Sequence, residues 1–346
     1  MKSHGIRGVL GADALKRQGE FFEVRVRHPK LEQVIEQMLP LLTPHSESNI
    51  IFVVGATGVG KSTVSRIALK GIYDSAFAKM QEDRSIIPIV AVEAYTNGEN
   101  RHTFGDLFED MLGQLNEPKV TARALLEESD GKIRVRHERR MTVKTLRRVL
   151  EGALKNRRTQ VCVIDEGYHL LRLAKDNAVM DTLKSLANTT GVKIVLVGSY
   201  DLFDLLDAHA QVARRATIIH FERYQIDSKS DRAAWKAIVV KLMAKWPCEI
   251  RPNLAAISDD LQELNLGLVG LLKSLLLDLS SMQLHNDGQW DPAFLPRAAK
   301  ANKLREIIRK EIEDGENKVR DALHGESLWD EKSLQSIVER MKVGHG

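Results

Sequence analysis

The sequence predicts an α/β chain, with a parallel sheet flanked by helices and a smaller all-helical part after it. Three observations carry this. The stretch Gly55-Ala56-Thr57-Gly58-Val59-Gly60-Lys61-Ser62-Thr63 fits G-x-x-x-x-G-K-[ST], preceded by an apolar strand and followed by a helical pattern. Strand-length apolar runs alternate with helical periods as far as about residue 225. Beyond residue 228 strand signals stop and only helical spacing remains.

Each element follows from local pattern. Residues 1–28 read as a polar, basic lead ending near Phe21 and Phe22. Leu31, Val34, Ile35, Met38, Leu41 and Leu42 recur at near-helical spacing, predicting an amphipathic helix over 30–42. Pro44 and the 46–48 region end it before the strand Asn49 to Val54, and Val64 to Ile72 reads as the helix after the glycine-rich loop. Ile86 to Val92 is a further strand, with Pro88 pointing to a sheet edge. Thr103 can cap a helix through Phe104, Leu107, Phe108, Met111, Leu112 and Leu115. Residues 119–140 are strongly charged and read as an exposed insertion, and Thr142 opens a helix to about Asn156. Val161-Cys162-Val163-Ile164 is a buried strand, followed by Asp165-Glu166 and a helix over roughly 176–190. Val192 to Val197 is a strand ending in Gly198-Ser199; Asp201 begins a short helix; Ala216 to Phe221 is the last strand. Helices at about 231–245, 253–264 and 268–283 follow, and 297–346 is a charged helical tail broken near Gly315 and Gly325. The expected division is an N-terminal extension 1–28, a nucleotide-binding domain 29–227, a helical lid 228–290 and a tail 291–346.

Composition sets limits. The chain has 346 residues, with 51 Lys and Arg against 47 Asp and Glu. That balance neither demands nor excludes nucleic acid, so local clustering decides. The two cysteines, Cys162 and Cys248, form neither a disulfide framework nor a metal spacing, which suits a reducing cytoplasm. A signal peptide's apolar run is missing, and no apolar stretch is long enough to span a membrane.

The chemistry starts at the glycine-rich loop. Gly55, Thr57, Gly58, Val59 and Gly60 let the backbone wrap phosphate oxygens, with N–H groups of the helix start at Lys61, Ser62 and Thr63 pointing at them. Lys61 would reach the β- and γ-phosphates of ATP, and the Ser62 hydroxyl would ligate Mg²⁺. Asp165, at the end of a neighbouring strand, can hold Mg²⁺ through water, and Glu166 can activate an attacking water. Ser199 either orients that water or makes turn contacts with Gly198. Arg214 and Arg215, just before the last strand, are either a charge-neutralising pair for a neighbouring subunit or a solvated surface. Lys273, in Gly267-Leu268-Val269-Gly270-Leu271-Leu272-Lys273, either reaches the nucleotide or is an ordinary surface lysine, and His169 reads as packing.

This order of motifs resembles the AAA+ ATPases, and more closely the transposon-encoded TniB/TnsC group, whose relatives include the MuB and IstB helper ATPases. The resemblance covers roughly residues 28–280 and rests on GATGVGKST at 55–63, VCVIDEGYHLL at 161–171, KIVLVGSYDL at 193–202, QVARRATIIHF at 211–221 and GLVGLLKSLLLD at 267–278. It implies an AAA+ P-loop NTPase in which these segments serve as Walker A, Walker B, sensor 1, arginine finger and lid. Lys273 stands near where an Arg sensor is often found. The resemblance also implies a bacterial, DNA-associated ATPase. Such proteins form a ring or helical filament of identical subunits on double-stranded DNA, and link a target-selector protein to a transposase. The rival readings are a helicase loader or replication initiator with the same core, and a nucleotide-switched scaffold that barely hydrolyses ATP.

A DNA contact should leave a basic footprint. Lys132, Arg134, Arg136, His137, Arg139 and Arg140 cluster in the charged insertion, followed by Lys144, Arg147 and Arg148. The spacing Lys132-x-Arg134-x-Arg136 places three cations on one side of an extended segment. Tyr95, Asn97 and Arg101 form a competing DNA-facing loop. No base-reading motif is present, so the expected contact is sequence-tolerant. Phe21 to Pro29 packs either near adenine or as a core anchor. In the tail, Leu304, Ile307, Ile308 and Ile312 form a narrow apolar stripe suited to docking on the body or on a partner.

Overall fold

The computed structural model describes residues 10–94, 104–117, 124–129, 132–137, 141–172, 176–203, 205, 216–299 and 302–324. Five strands build the central sheet: β1 (Ile50–Val54), β2 (Ile89–Glu93), β5 (Val161–Asp165), β6 (Lys193–Gly198) and β7 (Ala216–His220). Their order is β2-β5-β6-β1-β7, and every neighbouring pair is parallel. β1 and β6 are buried along their whole length, as expected of central strands covered on both faces. Register brings the carboxyl ends together: Val54 lies opposite Gly198 and His220, and Glu93 opposite Asp165. Ligands bind in open parallel sheets at that edge. β2 is an edge strand of the described sheet, in line with Pro88, although it begins after that proline and ends one residue later than the pattern predicts.

Five helices flank the sheet: α2 (Pro29–Leu41), α3 (Lys61–Glu82), α4 (Phe104–Gln114), α5 (Val143–Asn156) and α6 (Asp176–Thr190). Caps set some of their starts: the Thr142 side chain accepts from the Thr145 amide at 3.3 Å, and His28 accepts from the Leu31 amide. The charged insertion is not one open loop. It contains β3 (Ala124–Ser129) and β4 (Lys132–His137), paired antiparallel with Glu127 opposite Arg134 and Leu125 opposite Arg136.

The helical part comprises α7 (Lys229–Met243), α8 (Ser258–Leu264), α9 (Val269–Leu284) and α10 (Phe294–Ala298), around Trp235, Leu272, Leu276 and Leu279. The N-terminal lead contributes to it, contrary to its polar appearance. Its helix α1 (Ala12–Glu23) places Phe21, 1% exposed, in the core of this helical part, edge-on to Trp246 with ring centroids 5.7 Å apart. Phe21→Ala should therefore cost about 3–5 kcal/mol of stability, read by denaturant unfolding; a loss below about 1 kcal/mol would make α1 an ornament.

The tail also departs from expectation. Helix α11 (Asn302–His324) runs straight through Gly315, the residue predicted to break it. Gly315 lies against the Tyr200 ring, so packing outweighs the residue's weak helix preference. Ile312 and Val319 are buried against the α/β core, while Leu304 and Ile307 stay exposed.

Candidate nucleotide site

The loop after β1 turns into α3 through Gly60, whose φ of +119° is open to glycine and strained for other residues. Lys61 Nζ folds back and donates to the Gly55 and Ala56 carbonyls at 2.8 and 3.0 Å. Burial lowers its pKa, while the charges of Glu166, Asp165 and Glu311 pull it back up. Thr57, Gly58, Gly60, Lys61, Ser62 and Thr63 line a cavity of about 600 Å³, together with Asp165, Glu166 and Ser199. Sequence-distant segments thus meet as expected.

Ser62 Oγ donates to Asp165 Oδ2 at 3.3 Å, and the Glu166 amide donates to Asp165 Oδ1 at 2.9 Å. Two hard oxygen donors at a phosphate loop fit Mg²⁺, which keeps waters and phosphate oxygens as its other ligands. Glu166 has a φ of +52°, uncommon outside glycine. Such backbone settings concentrate at functional sites. Burial, then the Asp165 charge, raises the Glu166 pKa, the direction a general base needs. Ser199 faces the cavity with its hydroxyl donating to Asp201 at 3.2 Å, so it has turn chemistry and access at once.

Several lining residues escape sequence reading. Glu93 closes β2 beside Asp165, one position past the predicted strand end. His169, read as packing, lines the cavity with Tyr168. Glu311 arrives from the tail, with no local signal.

A second cavity, about 210 Å³, meets the first at Gly60, Thr63 and Gly270. Val24, Val26, Leu31, Val59, Leu242 and Leu277 make it mostly apolar, as a flat heterocycle requires. His28 borders it, held neutral with its pKa lowered to about 4 by burial and then by Lys241. The His28 Nδ1 lies 2.9 Å from the Tyr224 hydroxyl. The helical part touches the phosphate loop directly, Gly270 N–H donating to the Gly58 carbonyl at 2.7 Å. Lys273 borders this apolar cavity and not the phosphate one. Its ammonium bonds the Phe21 carbonyl and sits 3.8 Å from that ring's centroid. Burial lowers its pKa to about 8.

Arg214, Arg215, Tyr95, Arg101, Arg139 and Arg140 lie outside the described residues. Lys132, Arg134 and Arg136 fall on β4, in backbone register with Ser129, Glu127 and Leu125 of β3. Arg147 is tied down, donating to Glu151 and Ser185 at 2.9 and 2.5 Å. Among the described residues no helix is long and apolar enough to cross a membrane.

Comparison with known proteins adds to this geometry. Residues 45–206 match the family model of an AAA domain. No curated protein matches the sequence. The structure is similar to the Aeropyrum pernix ORC2 protein, solved as ADPNP–ADP complexes, at 15% identity with a TM-score of 0.54, covering 81% of this chain and 71% of that one. It is also similar to a Walker-type ATPase of Pyrococcus abyssi, at 14% identity with a TM-score of 0.50, covering 93% of each chain. At such identities the likeness bears on the fold. Residues 45–206 thus match an AAA domain, and the parallel sheet with flanking helices is an AAA+ P-loop NTPase fold.

Proposed function

We propose that this chain is an Mg²⁺-dependent ATPase that assembles on duplex DNA and regulates transposition, presenting a target site to a transposase. Residues 29–227 would hold and cleave the nucleotide, and the lid 228–290 would register its presence through Gly270 on the phosphate loop. The observation that carries ATP hydrolysis is the convergence of Lys61, Ser62, Asp165 and Glu166 on one cavity beside an apolar pocket. The ORC2 relative, solved with nucleotides, supports ATP as the ligand. DNA binding is supported by the hairpin, whose strand β4 carries Lys132, Arg134 and Arg136. The link to a transposase and a target selector rests on the motif resemblance alone. The ORC2 likeness keeps a replication-initiator role as the second reading.

Charge reversal tests the DNA part. Replacing Arg134, Arg136, Arg139 and Arg140 by Glu should weaken duplex binding by about 10²-fold or more for any sequence. It should also flatten the salt dependence, by roughly 0.9 in log–log slope for each phosphate left without its cation. Unchanged affinity and slope would reduce the hairpin to a solvated arm and leave Tyr95 and Arg101 as the better candidates. A strand-transfer assay with a candidate transposase, run beside a helicase-recruitment assay, separates the two roles. Stimulation there favours transposition, and stimulated helicase recruitment favours initiation.

A further inference from the structure

The tail helix α11 lies back on the α/β body and reaches the phosphate cavity. Its Glu311 lines that cavity with Lys61, Asp165 and Glu166. The helix is held by more than one kind of contact. Gly315 packs so closely on Tyr200 that an added Cβ would sit 2.0 Å from the ring's Cδ2. Arg223 forks onto Glu316, its Nε and an Nη donating at 2.8 and 3.1 Å. Ile312 and Val319 are buried in the main core. Tyr200 in turn lies 3.1 Å from His220 Nε2, on the strand beside β1, and its hydroxyl faces the Ala56 backbone of the phosphate loop. One ring therefore separates the docked helix from the loop that would hold phosphate.

Charge makes this docking consequential. Glu93, Asp165, Glu166, Asp201 and Glu311 line the cavity, against Lys61 as the only Lys or Arg among the described lining residues. Asp165 and Glu166 have work in nucleotide chemistry, and Ser199 engages Asp201. Glu311 adds a negative charge from a separate element, at the place where a triphosphate would bring several more. Like charges in a partly enclosed cavity repel more strongly than in open water.

We propose that α11 is an autoinhibitory strap, whose docked Glu311 opposes the nucleotide's phosphates, so that ATP binding and helix docking disfavour each other. The inference rests on the ATP-binding reading above. By linkage the coupling is reciprocal: whatever releases the helix tightens ATP, and ATP loosens the helix by the same factor.

Equilibrium binding of ATP, ADP and adenosine to the full chain, Glu311→Gln, Gly315→Leu and Lys61→Ala tests this. Glu311→Gln should tighten ATP by about fivefold, ADP less, and adenosine not at all, because the penalty scales with ligand charge. Gly315→Leu should reproduce the gain by forcing the helix off Tyr200. In the unaltered chain, saturating ATP should speed amide hydrogen exchange across 302–324. Unchanged or weaker ATP binding in both Glu311→Gln and Gly315→Leu, with binding lost in Lys61→Ala, overturns the strap and leaves the nucleotide site standing. Slower exchange across the helix with ATP also overturns it. Failure of every protein, the full chain included, to bind ATP removes the nucleotide reading and the strap together.

Discussion

Lys61→Ala is expected to abolish ATP binding, while Glu166→Gln binds ATP normally and hydrolyses it about 10²- to 10⁴-fold more slowly. The two residues sit in one cavity but do different things. Lys61 is a partly buried ammonium that donates to the Gly55 and Ala56 carbonyls. Phosphate oxygens offer it charge-assisted bonds instead, so its removal deletes an attraction present in the ground state. Glu166 lines the same cavity, with its backbone held at φ +52° beside Asp165. A carboxylate with a raised pKa takes a proton from water more readily than an ordinary one, and the amide of glutamine cannot. Binding is measured by titration of ATP with Mg²⁺, and turnover by phosphate release. Melting curves check that Lys61→Ala keeps its fold. Equal loss of binding in both variants would collapse the division of labour. Undiminished turnover in Glu166→Gln would transfer the base to another lining group such as Glu93.

Much of this site is written in local sequence, because its parts sit at strand ends. The run Val161 to Ile164 predicts a buried strand, and the acids at 165 and 166 then fall at its carboxyl end, where the register of β5 puts them. The helix expected over 176–190 is found at Asp176–Thr190. Other features depend on partners far along the chain. In the lead, Lys16, Arg17 and Gln18 stand between Leu15 and the pair Phe21-Phe22, so the segment reads as polar, yet Phe21 is packed against the distant Trp246 and Lys273. The tail's approach to the cavity rests on Gly315 meeting Tyr200, a contact no periodicity encodes. The hairpin had a readable signal. In sequence, Asp130-Gly131 stands between the apolar pair Leu125-Leu126 and the residues Ile133 and Val135, a pattern that predicts paired strands. Heavy charge in 119–140 conceals that signal from a pattern search for apolar strands.

Replacing both Arg214 and Arg215 with Ala is expected to spare ATP binding and lower DNA-stimulated turnover by about 10³-fold or more, the scale of an arginine acting on phosphoryl transfer. Strand register argues that the pair serves a neighbour. Arg215 is joined to Ala216, which opens β7 and lies opposite Ile50 at the start of β1. The phosphate loop leaves from the other end of β1, after Val54. At roughly 3.3 Å per residue, the steps from Ile50 to Val54 hold the two ends about 13 Å apart. The chain that carries Arg214 and Arg215 thus enters β7 at the end of the sheet away from the phosphate loop, which supports the proposal that the pair serves a nucleotide bound to an adjacent subunit. Hydrolysis would then depend on assembly, as the proposed DNA-bound ATPase requires. Mixing supplies the test. The double Arg variant keeps an intact phosphate site, and Lys61→Ala keeps an intact Arg pair, each nearly inactive alone. Co-assembled on duplex DNA, they should recover part of the rate, greatest near equal amounts, where junctions joining a sound site to a sound Arg pair are commonest. No recovery at any ratio, with co-assembly verified by crosslinking, would rule out action across the boundary. Full turnover by the double Arg variant alone would remove the pair from catalysis.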